Sequence, residues 1–370
     1  VTLRLDSGAT LAGSADMADY PVMQVRWEGK WISGHVGLID AADAEDVAIV
    51  GPGDGTAKIE GNPRVGGRPN GRSPLRHPAL IEPIACKGVR LAGFSTSYRS
   101  MWSIHPTLCS DVTATKLVIR STGGNGDGID VDSCRHVRIS DCDIETGDDC
   151  IAIKSGREEE GYTLAQTTQD VTIENCTLAD AIFACIGIGS ETSGGIRGVR
   201  IEHCTFTHAR TYAVYIKTRV GRGAFIEDVT GDDLTASGMG QGFLCINATG
   251  SGILGPVPVP GEAGVPQLKD FRFTHVRVTG CPELVRATAI TASKPLDGFV
   301  LEHVRGTAEK GIALAHMRAV RLEDVEVTGV KGPLVGIYDV TGQGLAGAAQ
   351  IAAPRQVQVL PAATEAYRLR

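Results

Sequence analysis

The sequence predicts an all-β chain wound as a single right-handed parallel β-helix, and three observations predict it. First, a phrase of the form Val-x-Ile/Leu-x-x-Cys/Val/Phe recurs at Val89, Val112, Val137, Val171, Val199, Ala224, Phe271, Phe299 and Val320. Its spacings of 23, 25, 34, 28, 25, 47, 28 and 21 residues never fall below 21, as in a solenoid that takes extra residues only at its turns. Second, the runs WSIH (102–105), GIDVD (128–132), CIAIKS (150–155), CIGIGS (185–190), VYIKT (214–218) and LCIN (244–247) align as another column with period-two alternation. Third, 370 residues with 47 glycines, 5% aromatics and no long charge run fit one elongated domain over residues 1–370. About nine to eleven coils are expected.

In chain order, residues 1 to 13 alternate as a first coil, with Val1, Leu3 and Leu5 on one face and Gly8 and Gly13 at turns. A first coil exposes an unpaired strand edge, so a missing cap or the segment 14–46 is expected to shield it. VAIVGPG from Val47 enters the repeat. The longest spacing locates a Gly/Pro-rich insertion at 250–266, GSGILGPVPVPGEAGVP. Cys142, Cys176 and Cys204 hold one slot in ISDC, IENC and IEHC, which favours buried free thiols over a disulfide framework for the ten cysteines.

The chain is organised around Asn125 to Gly156. Two short strands, Gly128 to Val131 and Cys150 to Ile153, are entered through the turns Asn125-Gly126-Asp127 and Gly147-Asp148-Asp149. With Ile129 aligned on Ile151, an offset of 22 residues, Asp127 falls on Asp149 in the next coil, about 4.8 Å away. A lone Asp beside Gly is usually a turn residue; here Asp127, Asp148 and Asp149 crowd one patch. In the second column Trp102, Ile104, Ile129, Val131, Ile151, Ile153, Ile186, Ile188, Val214 and Ile216 should point inward. His105, Asp130, Asp132, Lys154, Tyr215, Lys217 and Asn247 then point outward, and a face so rich in charge reads as a binding cleft.

These turns resemble those of the polygalacturonase family, glycoside hydrolase family 28, in wording, spacing and the Cys-Ile-Ala-Ile-Lys-Ser-Gly tail. The resemblance continues through VTLRLDSGATLAGS at the start, SIHP at 103–106, IGSETSGGIRGV at 188–199 and YIKTRVGRG at 215–223, covering most of the chain to Gly223. It implies a pectin-lyase-like solenoid and hydrolysis of a pectic or related acidic polysaccharide or oligosaccharide. Cleavage of a glycosidic bond needs one carboxylic acid to protonate the leaving oxygen and a carboxylate to activate water or attack carbon. Close like charges keep one proton in play. By resemblance Asp148 is the general acid, and Asp127 and Asp149 hold the attacking water of an inverting reaction. Lys217 matches a lysine that grips a sugar carboxylate. Tyr215, His105, Lys154 and Asn125 complete the expected substrate-binding set.

Two positions depart from the family. Ala184 stands where its Gly-His-Gly has histidine, and Tyr215 where its Arg-Ile-Lys has arginine. Plain homogalacturonan is therefore expected to be a poor substrate, and a mixed polymer such as rhamnogalacturonan a better one, with an uncharged sugar against Tyr215. Arg64, Arg68, Arg72 and Arg76 in NPRVGGRPNGRSPLRHP offer charge to an acidic sugar elsewhere.

A formal charge of −7 argues against a nucleic-acid partner, and no apolar run reaches about 18 residues, so no membrane span is expected. No metal or cofactor is expected. A monomer is expected, secreted or periplasmic, although the chain opens on Val1 in strand rhythm with no signal peptide, as if an upstream segment had been removed. Two other readings compete: a calcium-dependent polysaccharide lyase, with the acidic turns as ligands, and a non-catalytic polysaccharide-binding solenoid.

Overall fold

The computed structural model describes residues 1–62, 75–355 and 357–361. They form a right-handed parallel β-helix. One face is a stack of strands, each pairing in parallel with the next: Thr2–Arg4, Glu45–Val50, Lys87–Ala92, Ser110–Thr115, Arg135–Ser140, Thr168–Glu174, Ile196–Glu202, and then the long strands Phe225–Met239, Gln267–Ala289 and Leu296–Thr328. A second face stacks Ile129–Asp132, Ile151–Lys154, Ile186–Ile188, Tyr212–Lys217 and Gly242–Asn247. Its ten expected inward residues, from Trp102 to Ile216, are all buried. Each fully buried Ile or Val contributes about 1.5–3 kcal/mol.

The repeat register departs from the sequence reading at one coil. Val199 pairs with Val229, and Val229 with Phe271, so the slot assigned to Ala224 belongs to Val229. The phrase Ala224-Phe-Ile-Glu-Asp imitates Val199-Arg-Ile-Glu-His, but Ile226 stacks on Ile196 and not on Ile201. Ala224 instead turns the corner at φ 53°.

Such corners explain the residue before each aligned cysteine. Asp141, Asn175 and His203 all sit near φ 54°, a left-handed conformation that Asn, Asp and His tolerate better than most side chains. The cysteine that follows turns its thiol inward onto carbonyls of its own coil and the one before. All ten cysteines are free and buried.

Part of the segment 14–46 stays with the first coils, where Ile39–Ala42 pairs with Ile81–Ile84. The antiparallel hairpin of Val22–Trp27 and Lys30–His35 goes elsewhere. It lies on the second face, with Arg26 completely buried and bonded to Asp132 (3.3 Å) and Glu160 (2.9 Å). At Gly29, φ 77°, an added Cβ would stand 2.7 Å from the carbonyl carbon of Gly156, so the approach requires glycine. The short helix Glu158–Leu164 flanks this contact. No helix among the described residues is long and apolar enough to cross a membrane.

Under the hairpin, Arg76 and Glu82 form a fully buried pair. Burial opposes the Glu82 anion, but Arg76 outweighs it and holds the carboxyl at about 2. Glu82→Gln would strand a buried guanidinium, so the urea midpoint should fall by the equivalent of about 3–5 kcal/mol. A depressed acid stabilises above its unfolded value of 4.5, and that contribution disappears as pH falls from there through about 2. Wild type should lose stability across that window and the variant should not.

Candidate active site

The stacking register brings the predicted aspartates together. Ile129 pairs with Ile151, and the Gly128 N–H donates to the Asp149 carbonyl (3.1 Å), which sets Asp127 over Asp149. One carboxylate oxygen from each of Asp127, Asp148 and Asp149 lies within 4.8 Å of the other two. They line a pocket of about 290 Å³ with Asn125, Lys154 and Lys217. Asp127 and Asp149 are buried, while Asp148 is half-buried.

Asp149 is held from two sides. Its Oδ1 accepts from the Ala184 N–H (3.0 Å) and its Oδ2 from Lys217 Nζ (2.5 Å). Lys217 in turn sits 4.4 Å from the Phe183 ring centroid and 5.7 Å from that of Tyr215, two stacked aromatics that favour a cation at their faces. Gly187 makes this approach possible: a Cβ there would lie 2.4 Å from Asp149 Oδ2.

Asp127 sits beside Asp130, which is completely buried. Neither oxygen of Asp130, nor Oδ1 of Asp127, meets a donor among the described residues. Burial pushes the Asp127 carboxyl well above the usual range, and the neighbouring Asp130 and Asp148 push further. Burial raises Asp130 in the same way against the pull of Lys154. Both buried carboxyls are therefore pushed toward their protonated forms. Burial alone would depress the Lys154 ammonium, but Glu191 (3.1 Å) and Asp130 (3.7 Å) dominate and keep it charged.

Other expected site residues have different surroundings. His105 is buried away from the pocket, with Nδ1 on Glu82 (3.0 Å) and Nε2 on Thr107 (2.9 Å), edge-on to Trp102. It touches the structural Arg76–Glu82 pair, so the expected sugar contact is not what its position provides. Asp132 lies under the hairpin against Arg26. Arg76 is paired inside the protein; Arg64, Arg68 and Arg72 lie outside the described residues. Tyr215 does not itself line the pocket; it stacks on Phe183, which does, with ring centroids 5.7 Å apart.

The sequence reading missed most of the walls. Glu191 enters beside Lys154; its place within IGSETSGG, directly after the aligned CIGIGS run, was the available signal. Burial disfavours its charge, but Lys154 and Arg222 hold it ionised. Glu28 comes from the hairpin, and Ser251, Gly252 and Ile253 from the predicted insertion. No periodicity marks these turn residues as neighbours of the aspartates.

The family model of Glycosyl hydrolases family 28 matches residues 32–248. A probable polygalacturonase of Vitis vinifera is 30% identical over 257 residues, covering 68% of this chain and 52% of its own. The chain thus spans about half the length of that relative. A hyperthermoactive exopolygalacturonase from Thermotoga maritima superposes with a TM-score of 0.75 at 22% identity, over 88% of this chain and 80% of that one. A family 28 exopolygalacturonase from Yersinia enterocolitica gives 0.77 at 18% identity, over 92% and 68%. At such identities the two structures show a shared fold.

The crowded carboxyls should oppose folding once ionised. An acid whose folded pKa is raised above its unfolded value of 3.8 binds more protons when folded, so its stabilising effect is full at low pH and is lost as pH rises through the folded value. Asp127→Asn should therefore be about 1–2 kcal/mol more stable than wild type at pH 7. The difference should close toward pH 4 in parallel thermal melts.

Proposed function

The chain belongs to family 28 of the glycosyl hydrolases, and from that premise we propose that it hydrolyses a glycosidic bond in a pectic or related acidic polysaccharide or its oligosaccharides, outside the cell or in the periplasm. The observation that carries this is the trio Asp127, Asp148 and Asp149, with oxygens within 4.8 Å and Asp149 anchored by Lys217. Asp148, the most accessible of the three, is the general acid that protonates the leaving oxygen. Asp127 and Asp149 hold the water between them, and Asp149, whose Oδ2 accepts a hydrogen bond from Lys217 Nζ, draws off its proton.

Carboxyls this close suit a direct nucleophile as well, since inverting pairs usually stand about 6.5–9.5 Å apart. Inversion is favoured because both Asp149 oxygens already serve hydrogen bonds, which leaves it better placed to orient water than to bond carbon. The lyase reading is weakened by the same contact: a calcium ion on the trio would have to displace Lys217 from Asp149.

Substrate choice follows from Ala184 and Tyr215. Only a backbone N–H comes from position 184, and Tyr215 presents an aromatic ring. An uncharged sugar suits that ring, whereas an acidic sugar there would lack a charge-assisted partner, a loss of about 1.5–3 kcal/mol. The preferred substrate is therefore a mixed polymer such as rhamnogalacturonan.

Asp148→Asn and Asp149→Asn should each lower turnover at least about a hundredfold with the fold intact. Proton NMR of the first-formed anomer should show inversion; near-normal rates in both variants would reduce the trio to turn residues. In a separate measurement, kcat/KM should be higher on rhamnogalacturonan fragments than on oligogalacturonides by about tenfold or more. The reverse order would show that the arginine's task is met by another group.

A further inference from the structure

The catalytic face continues past Lys217 into a second cavity that plays no part in the mechanism above. One outward column runs Gly187, Tyr215, Cys245, Arg286 in register, and its neighbour runs Lys217, Asn247, Ala289. Coils repeat at about 4.8 Å, so Arg286 and Ala289 stand about 10 Å beyond the level of Lys217. A polysaccharide chain lying across the coils advances by about one sugar per coil spacing, hence by about two over this distance. At that level Thr249, Thr288, Ala289, Pro354 and Arg355 line a cavity of about 750 Å³, a size typical of ligand sites.

One ridge joins the two spaces. Thr249 and Gly250 face the second cavity, while the next three residues, Ser251 to Ile253, line the catalytic pocket. The Ser251 N–H donates to the Thr218 carbonyl (3.0 Å), and Arg219 Nη1 to that of Gly252 (2.5 Å), so the ridge is fixed to the strand that carries Lys217.

Two guanidinium groups stand at this level. Arg286 lies on the same strand face as Thr288, about half exposed, with Nε and Nη2 on Glu283 (2.7 and 2.6 Å) and Tyr212 nearby. Its Nη1 donates no hydrogen bond among the described residues. Arg355 lines the cavity and forms no ion pair or hydrogen bond among the described residues. Either arginine alone would be an ordinary solvated side chain. Together they place planar donors suited to a carboxylate beside a cavity in register with the catalytic pocket.

We propose that this cavity is a distal subsite of the same cleft, which binds the carboxylate of an acidic sugar two or more residues from the cleaved bond through Arg355 and Arg286. The inference rests on the hydrolase reading for the identity of the polymer, and it deepens that reading. Acidity is then recognised away from Tyr215, where an uncharged sugar is tolerated.

The test measures binding by titration calorimetry on Asp148→Asn, with and without the added pair Arg286→Ala and Arg355→Ala. The probes are oligogalacturonides and rhamnogalacturonan fragments of graded length. In the parent, affinity should rise with length once an oligomer spans two coils; the arginine variant should lose about tenfold or more of that rise. Methyl-esterified oligomers should bind both proteins alike. Matching melting curves would confirm that both are folded. The same length dependence in both proteins, or no binding at any length, overturns the subsite. Bound oligomers that wild type leaves uncut would overturn the hydrolase reading alone, whereas cutting without any effect of the arginines would overturn the subsite alone.

Discussion

The parallel register between coils is the constraint on which the rest depends. Ile129 over Ile151, Ile186 and Val214 keeps one set of side chains in the core and the alternate set outside. A slip of one residue would exchange Asp130 with Val131 and place charge in the core. Burial therefore enforces the register strongly, and the register determines that two turns 22 residues apart present their aspartates to one another. The grouping of the three aspartates is a consequence of stacking, since the register sets the turn at Asp127 over the Gly-Asp-Asp turn of the next coil.

Stacking like charges is unfavourable, and the surrounding residues show how the molecule tolerates it. Burial pushes Asp127 and Asp130 toward their protonated forms, whereas Lys154 and Arg222 hold Glu191 ionised and Lys217 meets Asp149 directly. The hairpin closes the next level with the buried Arg26–Asp132 pair. Breaking such a pair costs far more than its presence gains, because the remaining charge stays buried. These ion pairs thus hold geometry more than they add stability.

Legibility follows from the same physics. The solenoid, the inward residues and the trio could be read because a stacked fold writes three-dimensional neighbours as equivalent positions in successive repeats. Where a phrase imitated its neighbour out of frame, as at Ala224, local spelling misled and only the strand pairing at Val229 corrected it. His105 was read as a cleft residue because it shares the outward face with Lys154 and Lys217. Outward from the core is not the same as open to solvent: the hairpin, whose docking through Arg26 and Gly29 has no repeat to announce it, covers that level of the sheet. Glu28, Glu191 and the ridge at Ser251 were hidden for the same reason, since turn insertions follow no period.

The two kinds of information also divide the tasks of the cleft. The three aspartates sit at turns of the stack, where a change of register would move them against the neighbouring coils, so their geometry is tied to the strand pairing. Glu28 on the hairpin, the ridge at 249–253 and Arg355 near the C-terminal end come from segments that can lengthen or change sequence without disturbing a single strand pair, because each coil needs only its neighbours. Even Tyr215, though on a strand, points outward, and its side chain is free to vary while Val214 and Ile216 hold the core. A β-helix of this kind can therefore keep one bond-breaking apparatus and acquire different substrates by altering what stands around it. Tyr215 and the cavity beyond the ridge both stand at that periphery, where a change of side chain leaves the strand pairs and the aspartates in place.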